Sequence, residues 1–467
     1  MCPGDDACSS IIWFICRHFP LTATRSASTQ MASPPLTFIA SNPPGPAREY
    51  LLGSSDETLE LMLRWFREFG SIYCVRAPDG KCTWVIHDPD DVRRVLVANH
   101  RNYTKGLGLD RVRLLLGQGI MTSEGELWRR QRRMVQPAFH RNGIERFGAI
   151  IRDCNERLMA RWQQAAALDR TINLTRSASE FTLEVMLHAI FSEDLGAFVA
   201  DVADNPFMMV ADESRRDPSF AYRFRRLGTL VRDLLRRRRD AGLRRTDLLQ
   251  MLMEARDPDS GQGMEERQLV DEILTLVVAG HETTASTLNS TWWLLSQHPD
   301  VEAQLHAEQD RAGDLGPVDY AGLGQLGYTR QVLDEVLRLY PAGWALSRRS
   351  IGPDRLGGYE LPPGTDVVLS PYVIHRHPRY WPDAERFDPE RFAGGAATAR
   401  EHRAYLPFAV GPRHCIGEYF AIYEMMLHLN GATRRFRLRP ASDERVRWEA
   451  RINLRTARDL HMRVETR

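Results

Sequence analysis

One stretch sets the scale of the fold. From Met264 to His298 there is no proline, and Pro299 ends the run. At ~1.5 Å per residue a single helix over this stretch spans about 50 Å, enough to cross a large domain. Its middle reads Val277-Val278-Ala279-Gly280-His281-Glu282-Thr283-Thr284. Gly280 removes side-chain bulk, so a neighbour can approach the backbone. A threonine hydroxyl can take the carbonyl bond of the preceding turn and loosen it. Together these residues predict a notch lined by the Glu282 carboxylate and the Thr283 hydroxyl. His281 reads as a structural or surface-facing residue, not a ligand.

A second stretch supplies a ligand. Phe408–Gly417 reads Phe-Ala-Val-Gly-Pro-Arg-His-Cys-Ile-Gly, and an apolar helical run, Tyr419–Leu429, follows. Most lone cysteines are small apolar core residues. Here a glycine-rich backbone can curl around Cys415 and aim amide N–H groups at its sulfur. The start of the next helix adds the positive end of its dipole, and both favour the thiolate. No second cysteine or histidine lies nearby at zinc-like spacing. A single thiolate to haem iron fits better.

Trp128-x-x-x-Arg132 falls in a predicted helix over Glu124–His140, where positions i and i+4 share a face. An indole N–H beside a guanidinium clamps a carboxylate. Glu335-x-x-Arg338 falls in a helix over Tyr328–Tyr340, where an ion pair is natural.

The pattern Phe-x-x-Gly-x-Arg-x-Cys-x-Gly resembles the haem-binding signature of the cytochromes P-450, the haem-thiolate monooxygenases. Four further motifs resemble the same family in the right order. They are Trp128-x-x-x-Arg132, Ala279-Gly280-His281-Glu282-Thr283-Thr284, Glu335-x-x-Arg338, and Phe387–Phe392 with Arg391. The resemblance runs from about Pro43 to the end. It implies a mainly α fold with small β-sheets, with haem b between the long helix and the helix after Cys415. It implies that Cys415 ligates iron beside Phe408 and Gly417, under Ala279. Trp128, Arg132, Arg413 and Arg348 would hold the propionates, with Arg349 as the alternative to Arg348. Glu335, Arg338 and Arg391 would form a buried triad. The glycine-containing Asn102–Thr122 reads as a long, apolar, flexible loop that lids the pocket in the family. Ile120, Val278, Ala279, Ala342, Trp344 and Ala345 would line that pocket.

The chemistry follows from the notch. Cleaving dioxygen needs protons at its outer oxygen. Thr283 can hydrogen-bond there, and Glu282 can relay protons from water. A haem-thiolate sensor or small-molecule binder has no need of this pair, and family isomerases and peroxygenases usually lack it. The expected reaction is O₂-dependent hydroxylation or epoxidation of an apolar small molecule. Terpenoids, fatty acids, steroids and polyketides fit equally.

Composition bounds the partners. Net charge is +1 and lysine occurs only at Lys81 and Lys105, so nothing draws the whole chain to nucleic acid. No flavin domain or phosphate-cradling glycine motif is legible. Electrons from NAD(P)H are therefore expected through a separate ferredoxin or flavodoxin and its reductase. Arg129, Arg130, Arg133 and Arg413 are expected to flank the docking face. The basic run up to Arg239 reads as a solvated helix face. The cysteines at 2, 8, 16, 74, 82, 154 and 415 show no framework spacing, which fits free thiols and a reducing cytoplasm; the chain is expected to be a monomer. Ile11–Cys16 is too short to cross a bilayer. Residues 1–42 read as an N-terminal extension with Met31 as a candidate start, and 43–467 as one domain.

Overall fold

The computed structural model describes residues 42–53, 57–196, 206–211, 220–315, 320, 322–394 and 403–467. Met31, the candidate start, lies outside them. The long helix is Glu266–Gln297, 32 residues. It buries Leu269, Ile273, Val277, Leu288, Trp292 and Leu295, and packs along the Leu174–Phe191 helix for much of its length. The Phe220–Asp240 and Gly327–Leu339 helices cover further sides. A helix buried on several sides belongs inside a bundle.

The helix after Cys415, Glu418–Thr433, is also buried on most sides. Its longest contact is with Gly148–Ala167 rather than with the central helix. It meets the central helix through a polar bridge. Trp292 Nε1 donates to His428 Nε2 at 3.0 Å, and His428 Nδ1 lies 2.7 Å from Asn155 Oδ1. One imidazole therefore links three helices.

The largest sheet has five strands, in the order Ile72–Arg76, Cys82–Ile86, Asp366–Leu369, Leu346–Ser350, Tyr103–Lys105. The first pair is a hairpin turning at Pro78-Asp79-Gly80. Cys82–Ile86 and Asp366–Leu369 are parallel; the other neighbours are antiparallel. Its register sets Lys105 opposite Arg348 and Arg349 opposite Asp366. Three smaller sheets use the remaining short strands, most of them near the C-terminus.

Two expectations are corrected. Asn102–Thr122 is not all loop: Leu109–Leu116 is helical, bounded by Gly108 and Gly117, both at positive φ. The basic end of Phe220–Asp240 is not simply solvated. Arg238 is buried between Asp194 and Asp247, 2.5 Å from each, and Glu266 takes Arg232, Arg236 and Arg239. His281 takes the structural of its two readings: it is fully buried, with Nδ1 3.1 Å from the Val277 carbonyl. Cys74, Cys82, Cys154 and Cys415 are free thiols. No described helix is long and apolar enough to cross a membrane.

Candidate functional site

The Cys415 loop is shaped by its own backbone. Cys415 N–H donates to the Phe408 carbonyl at 2.9 Å, and His414 N–H to the Gly411 carbonyl at 3.0 Å. Ala409 and Gly411 both take positive φ. The sulfur receives the amide N–H groups of Gly417 and Glu418, with the Arg132 charge nearby. Cys415 is surrounded by protein atoms yet keeps accessible surface, so it stands on the floor of a cleft. Burial still outweighs the amides and raises its thiol pKa. A coordinating cation is what such a sulfur needs to stay ionised.

Around this loop the cations exceed the acids. Lys105, Arg348 and Arg413 interact around one carboxylate, Glu124. Arg413 donates to Glu124 Oε2, and to the Ser123 carbonyl at 3.2 Å. Burial brings Lys105 down to about 7 and Arg348 to about 10, with Arg413 adding repulsion to both. Three cations to one acid leave room for two negative charges. Haem has two propionates, so the donor set fits it. Arg349 is excluded from that role. It is exposed and holds Asp366 through two bonds, at 3.0 and 2.8 Å. Arg348, on the next position of the strand, has no acid of its own within ion-pair distance among the described residues.

Trp128 and Arg132 do not form a simple pair. Trp128 lies under Arg413, whose guanidinium carbon is 4.2 Å from the ring centroid. Arg132 donates to the His414 carbonyl at 2.8 Å, bracing the thiolate loop. Sequence reasoning missed Lys105 and Glu124. The signal for Lys105 was its rarity in a chain that otherwise uses arginine.

The notch is present in the central helix. Thr283 Oγ1 donates to the Ala279 carbonyl at 2.9 Å and Thr284 Oγ1 to the Gly280 carbonyl at 3.1 Å. Val278, Ala279, Glu282 and Thr283 are half-buried on a helix otherwise mostly closed here. The neighbour admitted by Gly280 is Met186, whose methyl would collide with any β-carbon there. Thr182 Oγ1 reaches the His281 carbonyl at 3.1 Å. Glu282 accepts from Asn453 Nδ2 at 3.2 Å, a partner from the C-terminal hairpin that sequence reasoning did not identify.

Glu335, Arg338 and Arg391 come together as expected. Arg338 holds Glu335 at 2.6 and 2.8 Å, and Arg391 Nε lies 3.5 Å from it. Asp388 N–H adds a bond at 2.9 Å. Of the pocket candidates, Trp344 is corrected. Its indole donates to the Arg451 carbonyl at 2.7 Å, and its ring belongs to the core with Leu59, Met62 and Val368. Ala342 is buried beside it and Ala345 half-buried. Ile120 is half-buried, its N–H bonded to Glu272 at 2.9 Å. The arginines expected at the docking face are mostly engaged within the chain, while Arg129 stays exposed beside Glu126. Arg413 is turned inward, Arg133 is held by Asp257 and Asp259 at 2.8 and 3.0 Å, and Arg130 donates to the Gly263 carbonyl. A cleft of about 600 Å³ lies elsewhere, lined by Trp293, Leu339, Tyr340, Pro440, Arg445 and Trp448; none of the predicted site residues lines it.

Known proteins match along the same frame. The Cytochrome P450 family model covers residues 42–213 and 226–453. The chain is 34% identical to Cyclooctat-9-en-7-ol 5-monooxygenase of Streptomyces melanosporofaciens, over 79% of this chain and 83% of that one. It is 33% identical to Pentalenene oxygenase of Streptomyces avermitilis, over 81% and 87%. The solved cytochrome P450DA heme domain superposes with a TM-score of 0.80 at 25% identity, covering 92% of this chain and 99% of that one. Thiolate loop, cation cluster, notched helix and these relatives agree: the chain belongs to the cytochrome P450 family of haem monooxygenases.

Proposed function

We propose that this monooxygenase hydroxylates or epoxidises an apolar terpenoid. Support for that substrate class comes from the names of the relatives, cyclooctat-9-en-7-ol and pentalenene oxygenases. The observation that carries the site assignment is the Cys415 sulfur held by two amide N–H groups beside a surplus of cations. Cys415 is the iron ligand. Arg348, Arg413 and Lys105 hold the propionates, with Trp128 and Arg132 bracing them. Haem, when bound there, supplies the site at which dioxygen is reduced.

The remaining residues handle protons and substrate. Thr283 spends its hydroxyl proton on the Ala279 carbonyl, which leaves its oxygen as an acceptor at the notch. Glu282, oriented by Asn453, passes protons from solvent. Val278, Ala279 and Ile120 offer apolar surface to the substrate. Electrons come from NAD(P)H through a ferredoxin- or flavodoxin-type donor and its reductase, and the chain works as a cytoplasmic monomer.

The test is the visible spectrum of the dithionite-reduced protein with carbon monoxide, followed by titration with terpene hydrocarbons and with fatty acids. A strongly red-shifted Soret band and a ligand-induced shift with terpenes alone are expected. A band typical of histidine-ligated haem would remove Cys415 from its role. A response to fatty acids only would replace the substrate class.

A further inference from the structure

Away from the notch and the thiolate, two helices gather three metal-binding side chains. Cys154 lies on Gly148–Ala167; Glu184 and His188 lie one turn apart on Leu174–Phe191. One donor atom from each lies within 4.8 Å of the other two. Spacing of i and i+4 puts Glu184 and His188 on one face, and Cys154 completes a triangle from the packed neighbour. Cys154 is buried and the other two are half-buried, so the triangle opens outward. Donors around a tetrahedral Zn²⁺ sit at ~2.0–2.3 Å from the ion and therefore about 3.5 Å apart. Side-chain rotation closes that difference.

The chemistry of the set is specific. Sulfur, imidazole and carboxylate together suit Zn²⁺, whereas Ca²⁺ and Mg²⁺ prefer oxygen. Burial lowers the His188 pKa, so its ring is a neutral donor at neutral pH. Burial, with Glu184 adding to it, pushes the Cys154 thiol up to about 12. Its proton therefore stays until a cation replaces it. Asp153 adds negative charge beside both groups. One cation already occupies the triangle. Arg157 donates to Glu184 Oε1 at 2.7 Å and to Cys154 Sγ at 3.1 Å.

We propose that Cys154, Glu184 and His188 form a Zn²⁺ site, with Arg157 as a tethered competitor that withdraws when the ion enters. The Zn–S bond forms as the thiol proton leaves to solvent, and water completes the shell. The ion would staple the helix that backs the post-cysteine helix to the helix that carries Thr182 and Met186 against the oxygen notch.

Haem-loaded protein is equilibrated with Zn²⁺, washed, and its zinc counted against its iron. One zinc per iron is expected, with one sulfur in its X-ray absorption shell. Cys154→Ser should remove the sulfur shell. His188→Ala should weaken retention about tenfold or more, and Arg157→Gln should strengthen it. Should Cys154→Ser fail to fold, the other two variants, which alter half-buried and exposed positions, carry the test. Zinc that is sulfur-free in the unmodified protein, or retention unmoved by His188→Ala, overturns the proposal.

Discussion

Two residues show how little chemistry separates a working site from a failed one. Thr283→Ala keeps the helix but removes the hydroxyl from the notch. NAD(P)H consumption and peroxide release should continue while product per reducing equivalent falls about tenfold or more; paired assays of peroxide and product check this. Gly411 stands at φ +81, and a β-carbon there would meet the Leu96 carbonyl. Gly411→Ala should cost about 1–3 kcal/mol, seen as a lower Tm and a lower haem-to-protein absorbance ratio. Each residue was legible because it stands inside a short motif, Thr283 beside Glu282 and Gly411 four residues before Cys415. The choice between Arg348 and Arg349 was not. Only the pairing of Arg349 with Asp366 across the sheet decides it, and neighbours in sequence carry no trace of a strand partner.

At the scale of elements, the short segment after Gly117 is tied down on the central helix. Gln118 N–H donates to Asp271 and Ile120 N–H to Glu272, each at 2.9 Å, while Lys105 Nζ donates to the Ile120 carbonyl at 3.2 Å. Burial raises the Glu272 carboxyl from 4.5 to about 7. The folded chain therefore keeps a proton that the unfolded chain has lost between those values. Stability should fall as pH rises from about 4.5 to 7, by roughly 3 kcal/mol at most from this group. Glu272→Gln should flatten the dependence of Tm on pH over that window, measured by thermal unfolding. The glycines of this segment suggested a mobile loop. They did not reveal the Leu109–Leu116 helix or the carboxylate anchors, because both anchors come from a helix about 150 residues later. The long helix was legible from the absence of proline alone. Trp344 was misplaced because an indole beside a predicted pocket looks the same in sequence whether it faces the pocket or the core.

For the molecule as a whole, the buried ion pairs join distant segments. Glu335 connects the Gly327–Leu339 helix to the loop that carries Asp388 and Arg391, and Arg338 also holds the carbonyls of His375, Ala384 and Arg386. Removing one partner of such a network costs about 3–5 kcal/mol. Glu335→Ala should therefore yield mostly haem-poor protein, checked by the ratio of Soret to protein absorbance after purification. Normal loading would show that the loop is held by other means.

The pairing of Lys105 with Arg348 across adjacent strands has a consequence for how the protein is made. Like charges placed opposite each other weaken a sheet edge, and here burial compounds the repulsion. Glu124 relieves that repulsion only in part, and a dianionic porphyrin would relieve the rest. Cofactor supply would then bear on biosynthesis: made without haem, the chain is expected to hold the strand that begins the lid less firmly than the loaded protein does.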